Sequence, residues 1–436
     1  MSRALTRREL IRLGGALAWV PLAAAVLDTA GCGGGANNSL QAGDGYSGTD
    51  DQLLDEIEAA AFLYYWEQTD PATGQIKDRA LAAGSDSRTL SSIAATGFGL
   101  TVLCIGARRG YAPSAQITAR VQTTLQFILG QLQGQNGFFY HFVDMSTGAR
   151  AGTSEVSSID TAILLCGVLS CRAYFPQTQI ATLATEIYQR VDWGWMLNGG
   201  PTLATAWTPE SGFAATRWDH YSELMMLYLL AIGSTTYPIP ASAWSAWTRP
   251  TITYQGLTYI AGADPLFVHQ YSHAWFDFRS RSDAFANYFQ NSITATEAHR
   301  LFCIGLNSQF SDYSSDLWGI TASDSANGYA VWGGPPAMGP LDGTVVPCAA
   351  GGSLPFLYAE TIHVLRGIRG HYGQAWQRYG YVDAFNPLTG WYDSDVLGID
   401  LGIMALMAEN QRSGFVWQTF MSNPEVATAM TLVGFH

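Results

Sequence analysis

The sequence predicts an all-α protein: a single domain of roughly ten to twelve helices set as hairpins in a ring. Apolar residues recur at helical spacing over most of its 436 residues. No linker divides the chain after Asp51, so the helices share one core. One kind of turn recurs between them, in Asp70-Pro71-Ala72-Thr73-Gly74, Asp144-Met145-Ser146-Thr147-Gly148 and Asn386-Pro387-Leu388-Thr389-Gly390. Each opens on an Asx residue and closes on a glycine, as a tight reversal requires, and hints at a repeated helix-turn unit.

Helices are expected over Asp51–Trp66, Leu90–Arg109, Ser114–Gln133, Ser154–Tyr174, Thr178–Val191, Tyr221–Ile232, Asp283–Gly305, Ser353–Gly370, Val396–Asn410 and Pro424–Leu432. Tyr221–Ile232 differs in kind. Its run Leu224-Met225-Met226-Leu227-Tyr228-Leu229-Leu230 is apolar on every side, which marks a helix buried all round. Ser154–Tyr174 opens on polar residues and then turns apolar, and Val396–Asn410 is apolar around Asp400. Two regions break the helical rhythm. Pro250–Pro265 alternates in Thr251–Tyr254 and Leu257–Ile260 and reads as a short hairpin. Trp318–Leu354 is rich in Gly, Pro and Ser, holds Trp318, Tyr329 and Trp332, and shows no helix; its aromatic content marks an ordered, functional loop.

The N-terminus reads as an address. Thr6-Arg7-Arg8-Glu9-Leu10-Ile11 matches a twin-arginine export signal, and Leu13–Val26 is too short to span a membrane. Leu27-Asp28-Thr29-Ala30-Gly31-Cys32 resembles a lipobox, with Thr29 where leucine is usual. Residues 1–32 are thus expected to be a signal ending at a lipid-modified Cys32, 33–50 a flexible tether, and 51–436 the folded domain. The expected location is periplasmic or cell-envelope, with the membrane reached only through the lipid.

Losing the first 32 residues removes four arginines, one glutamate and one aspartate, leaving 18 basic against 33 acidic residues. A chain of net charge −15 without a basic patch does not bind nucleic acid; Arg108, Arg109, Arg279 and Arg281 are too sparse. Cys104, Cys166, Cys171, Cys303 and Cys348 are odd in number and lack framework spacing, so they are read as small core residues. A monomer without cofactor is expected.

Four carboxylates stand where carboxylates are costly. Glu223 lies in Trp218-Asp219-His220-Tyr221-Ser222-Glu223, at the mouth of the apolar helix, where it is either functional or a first-turn acid on the helix dipole. Asp400 interrupts Val396-Leu397-Gly398-Ile399-Asp400-Leu401-Gly402-Ile403-Met404 as a mid-helix acid, functional or structurally paired. Glu155 and Asp160 are five apart on one expected helix, about 140° around it, so they do not act from one face. Two carboxyls in an aromatic cleft are what glycoside hydrolysis needs, one protonated and one ionised.

His269 and His273 are four apart, as metal ligands on a helix would be. The glutamate of a metalloprotease motif and a third ligand are both missing, so no metal is expected there. With Tyr271 and Trp275 they suit sugar contacts or a buried polar network. No nucleophile elbow or phosphate loop is present in the sequence.

A set of ordered blocks resembles a known family. They are Ile93-Ala94-Ala95-Thr96-Gly97-Phe98-Gly99-Leu100, Gly137-Phe138-Phe139-Tyr140-His141-Phe142, Ser157-Ser158-Ile159-Asp160-Thr161-Ala162, Tyr221-Ser222-Glu223, His269-Gln270-Tyr271-Ser272-His273-Ala274-Trp275, Gly319-Ile320-Thr321-Ala322-Ser323-Asp324 and Gly398-Ile399-Asp400. From about Leu53 to the C-terminus the chain resembles the bacterial glucoamylase-like family, whose best-understood members form glycoside hydrolase family 144.

The resemblance implies an (α/α)6 barrel with the substrate cleft at one end. It implies cleavage of a β-glucan, most of all β-1,2-glucan, with inversion. Glu223 would be the general acid and Asp400 the base, with Glu155 and Asp160 as further acids of the cleft. Trp218, Tyr221, His141, His269, His273, Trp275, Asp324, Trp332 and Trp391 are the expected substrate contacts. A non-catalytic glycan-binding lipoprotein on the same barrel is the alternative of a different class. A polysaccharide lyase is a third reading, and it would want a basic cleft.

Overall fold

The computed structural model describes residues 45–262 and 265–436. The twin-arginine motif, the lipobox and Cys32 lie outside the described residues. The ordered body starts earlier than the tether reading expects. Arg366 Nη2 donates to the Tyr46 carbonyl at 3.0 Å, and the Tyr46 hydroxyl donates to Glu56 at 2.8 Å. Thr49 then opens the first helix with a capping box.

The domain is the (α/α)6 barrel. Helices α1 (Asp50–Glu67), α2 (Ile93–Arg109), α3 (Ser114–Gly130), α4 (Ser158–Tyr174), α5 (Gln179–Gln189) and α6 (Met225–Gly233) make up its first half. The second half brings α7 (Tyr271–Trp275), α8 (Tyr288–Gly305), α9 (Pro347–Gly351), α10 (Tyr358–His371), α11 (Gly398–Ser413), α12 (Phe415–Phe420) and α13 (Pro424–Leu432). Helices α2, α4, α6, α7, α9 and α11 form the inner ring. The outer places go to α1, α3, α5, α8, α10 and α13.

Close backbone approach fixes the ring. A Cβ at Gly97 would stand 2.4 Å from the Ile163 carbonyl oxygen, so α2 and α4 touch main chain to main chain only because that residue is glycine. On the other side of α2, Gly402 of α11 faces the Phe98 ring. Ser272 of α7 ties to the start of α6, and Gln270, just before α7, donates to Ala349 of α9 at 2.9 Å. The ring order is therefore α2-α4-α6-α7-α9-α11. Helices α6 and α11 stand opposite each other. All nine residues of α6 are buried, as its uniform apolarity predicts.

Short strands take residues that the helical pattern claimed. Leu90–Ser92, Val156–Ser157 and Asp395–Leu397 run straight into α2, α4 and α11. They pair antiparallel with Phe142–Asp144, Ala206–Thr208 and Arg79–Leu81. Each pairing satisfies backbone groups just ahead of a helix and so pins the first turn behind it.

The three Asx-Thr-Gly turns share one geometry. Asp70 Oδ1, Asp144 Oδ1 and Asn386 Oδ1 each accept backbone N–H groups two and three residues on. Their glycines close the turns at φ of +71°, +69° and +71°. All three lie in the connections ahead of consecutive ring members α2, α4 and α11, so the repeat is a turn unit of the barrel mouth.

The hairpin of Thr251–Tyr254 with Leu257–Ile260 is as expected. The aromatic loop is not free of helix: α9 lies within it, and with five residues it is too short to show a period. The five cysteines from Cys104 onward are free and buried. No helix among the described residues is long and apolar enough to cross a membrane.

Candidate active site

The strand-to-helix junctions of the inner ring gather at one end of the barrel, and the sequence's candidate acids sit on them in three groups.

The first group surrounds the start of α4. Ser157 caps the helix, accepting from the Asp160 amide at 3.1 Å, and its hydroxyl also donates to Asp160 Oδ2. His141 stands between two acids, with Nδ1 3.2 Å from Glu155 Oε1 and Nε2 3.7 Å from Asp160 Oδ1. The expectation that Glu155 and Asp160 point apart fails. Helix α4 begins at Ser158, so Glu155 is extended chain ahead of it and the 140° rotation does not apply. Trp218 closes this group, its Nε1 donating to Ser158 Oγ at 2.8 Å.

The second group lies where α6 meets α7. Glu223 precedes α6 rather than sitting in its first turn. Ser272 replaces the missing cap: its hydroxyl donates to the Glu223 carbonyl at 2.8 Å and accepts from the Met226 amide at 3.0 Å. The Glu223 backbone is thus clamped from the neighbouring inner helix. Tyr221 is enclosed, its hydroxyl 3.1 Å from His269 Nδ1 and its ring against Tyr288 and Trp247. Burial, with the nearby His299, pushes His269 down to about 3, so its imidazole is neutral at neutral pH.

The third group surrounds the start of α11. Asp400 is the third residue of that helix, not a mid-helix acid. It is 4% exposed, and neither carboxylate oxygen has a hydrogen-bond partner. Beside it stands Asp383, also 4% exposed, whose Oδ2 accepts the Asp324 amide at 2.7 Å. Burial and the facing Asp400 push Asp383 well above the carboxylate range. Asp393 completes the cluster, pushed up to about 7 by burial and Asp324. Arg79 binds Asp324 at 2.5 Å and Asp78 at 3.1 Å, while Arg88 is taken by Asp86 and Asp395. Oxygens of Asp324, Asp383 and Asp393 lie within 4.8 Å of one another.

Some expected contacts are elsewhere. His273 is 1% exposed and packs against Phe278, Phe289 and Phe356, with Nε2 3.0 Å from Ser292 Oγ. Trp275 is fully buried on Phe98 and donates to Thr101. Both are core residues, because all five residues of α7 are buried and the helix is enclosed on every side, and neither is placed to meet a sugar. Trp332 is buried too, tied to Ser323 Oγ at 3.1 Å. Trp391 is half-buried on a hairpin paired with Phe385–Asn386. Asp383 and Asp393 escaped the sequence reading. Asp383 had a usable signal, an acid inside Tyr381-Val382-Asp383-Ala384-Phe385, the same criterion that found Asp400.

Fold and mouth together define a helical toroid with acids ringing one end. Residues 215–424 match the family described as "Putative glucoamylase". An exo β-1,2-glucooligosaccharide sophorohydrolase (non-reducing end) of Parabacteroides distasonis is 28% identical over 425 residues, covering 87% of this chain. The chain spans 57% of that curated relative's length. The solved endo-β-1,2-glucanase from Chitinophaga pinensis, in complex with sophorotriose and glucose, superposes with a TM-score of 0.83 at 26% identity, covering 89% of this chain and 99% of that one. A structure of the β-1,2-glucanase from Parabacteroides distasonis gives 0.82 at 26% identity, over 89% of this chain and 60% of that one.

Proposed function

We propose that this protein is a glycoside hydrolase acting on β-1,2-glucan or its oligosaccharides, with Glu223 as general acid and Asp400 as general base. The observation that carries the reading is placement. The chain carrying Glu223 runs into α6 and Asp400 lies in the first turn of α11, opposite members of the inner ring, in a chain similar to a sophorohydrolase, an endo-β-1,2-glucanase and a β-1,2-glucanase. An inverting mechanism would hold the two carboxyls far enough apart to admit a water beside the anomeric carbon. Glu223 would give its proton to the glycosidic oxygen while Asp400 draws one from the attacking water. His141, Glu155 and Asp160 offer a polar wall for sugar hydroxyls, and Trp218 and Trp391 offer ring faces. Export by the twin-arginine route and anchoring at Cys32 belong to the same proposal. They rest on the sequence motifs.

The test is purified Glu223→Gln and Asp400→Asn protein incubated with β-1,2-glucan, products read by chromatography and anomer by NMR. Each variant should keep its thermal transition and lose about 10²–10⁴-fold in rate. Full activity in either sinks its assignment. Binding of β-1,2-glucan by wild type without any release of reducing ends would favour a glycan-binding protein.

A further inference from the structure

The acids around Asp400 pose a charge problem that the proposed reaction does not solve. Asp383 and Asp400 are buried beside the half-buried Asp324 and Asp393, and Arg79 is the cation that meets this cluster among the described residues. The far ends of α2 and α11 pose the same problem to a second buried pair. There Glu58 and Glu409 are met by Arg109 and Arg412, at 3.4 Å and 2.7 Å to Glu58 and 2.7 Å from Arg109 to Glu409, and even so burial and Glu409 push Glu58 up to about 9. Around Asp400 no second arginine arrives among the described residues, so the need for a proton there is stronger still.

The hydrogen bonds show where the proton goes. Asp383 Oδ2 is committed as an acceptor to the Asp324 amide, while Oδ1 is enclosed and has no partner. Asp400 presents two enclosed oxygens, also without partners. We infer that Asp383 is a positioning residue which acts as a neutral carboxylic acid, its Oδ1 hydroxyl donating to the Asp400 carboxylate and fixing it for base catalysis. This rests on the assignment of Asp400 as base. The groups facing Asp383 are Asp400 on α11, Asp324 and Asp393 on the adjoining loops, and Arg79 on its strand. The upward shift of Asp383 agrees with this. A divalent cation would answer the same charge problem, but it would have to sit beside the Arg79 guanidinium that already holds Asp324.

The isostere separates proton from charge. In Asp383→Asn the amide oxygen can still take the Asp324 amide, and the NH2 can still donate to Asp400. On β-1,2-glucan, Asp383→Asn should stay within about threefold of wild type in kcat/KM. Asp383→Ala should lose about 10–100-fold, mostly in kcat. A donated hydrogen bond favours the ionised form of Asp400, so the acidic limb of the kcat/KM profile should move to higher pH in Asp383→Ala and stay in place in Asp383→Asn.

Infrared difference spectra need no turnover. Wild type minus Asp383→Asn should show a protonated carboxyl C=O band at neutral pH. Absence of that band overturns the proposal, as does an Asp383→Asn enzyme as impaired as a folded Asp383→Ala. So does a thermal shift with calcium or magnesium that Asp383→Asn abolishes. An active Asp400→Asn enzyme removes the base assignment instead, while the infrared band still reports on Asp383.

Discussion

Helices α4 and α11 flank α2 in the ring and open on nearly the same words, Ser157-Ser158-Ile159-Asp160 and Leu397-Gly398-Ile399-Asp400. In both, a short strand runs into the helix and the aspartate is its third residue. Their surroundings differ. Asp160 is bonded by the capping Ser157 and lies near His141, whereas the residue before α11 is Leu397, which has nothing to donate. Asp400 is left facing Asp383. Local backbone puts a carboxylate in the mouth at both places, and the flanking side chain decides whether it is held or kept available.

The comparison breaks most sharply on activity. Asp400→Asn should cost about 10²–10⁴-fold in kcat/KM on β-1,2-glucan, and Asp160→Asn about tenfold. The reverse order would move the base to α4. A smaller effect is expected from His141→Ala, which separates two carboxylates from the imidazole between them. Steady-state kinetics should show a raised KM with kcat within about tenfold.

The α11 side also predicts a pH signature. Asp393 is about 7 in the fold against an ordinary 3.8, so the fold favours its neutral form. That contribution is complete below pH 3.8 and is lost as pH rises toward and through 7. Asp393→Asn should therefore gain Tm over wild type progressively between pH 4 and 7 and no further above it; a pH-independent difference would contradict the assignment. Ser157→Ala, the smallest change, removes a cap worth about 1 kcal/mol and should lower Tm by a few degrees.

Much of this was legible in the chain. Long helices announce themselves by period, and Glu223 and Asp400 stand out because acids are rare in apolar runs. Helices α7 and α9 did not, since five residues hold little more than one turn. That is also why His273 and Trp275 looked like site residues and proved to be core. The convergence of Glu155 and Asp160 on His141 was hidden by a strand two residues long, formed only because Ala206–Thr208 comes alongside. Asp393 was hidden for a different reason: Trp391-Tyr392-Asp393-Ser394-Asp395 reads as an ordinary polar turn until Asp324 is folded against it.

One consequence follows from where α13 sits. Helix α6 carries the Glu223 junction, and its outer flank is covered by α13, so closely that a Cβ at Gly233 would lie 2.4 Å from the Glu425 carbonyl oxygen. Arg172 of α4 binds Glu425 as well. Nearly the whole second half of the chain is synthesised between these two partners. On the ribosome, the most apolar helix of the barrel must therefore wait with a bare flank until almost every other element has emerged. Premature release anywhere before Pro424 would leave that surface sticky, and a fragment ending there should aggregate rather than fold into a smaller enzyme.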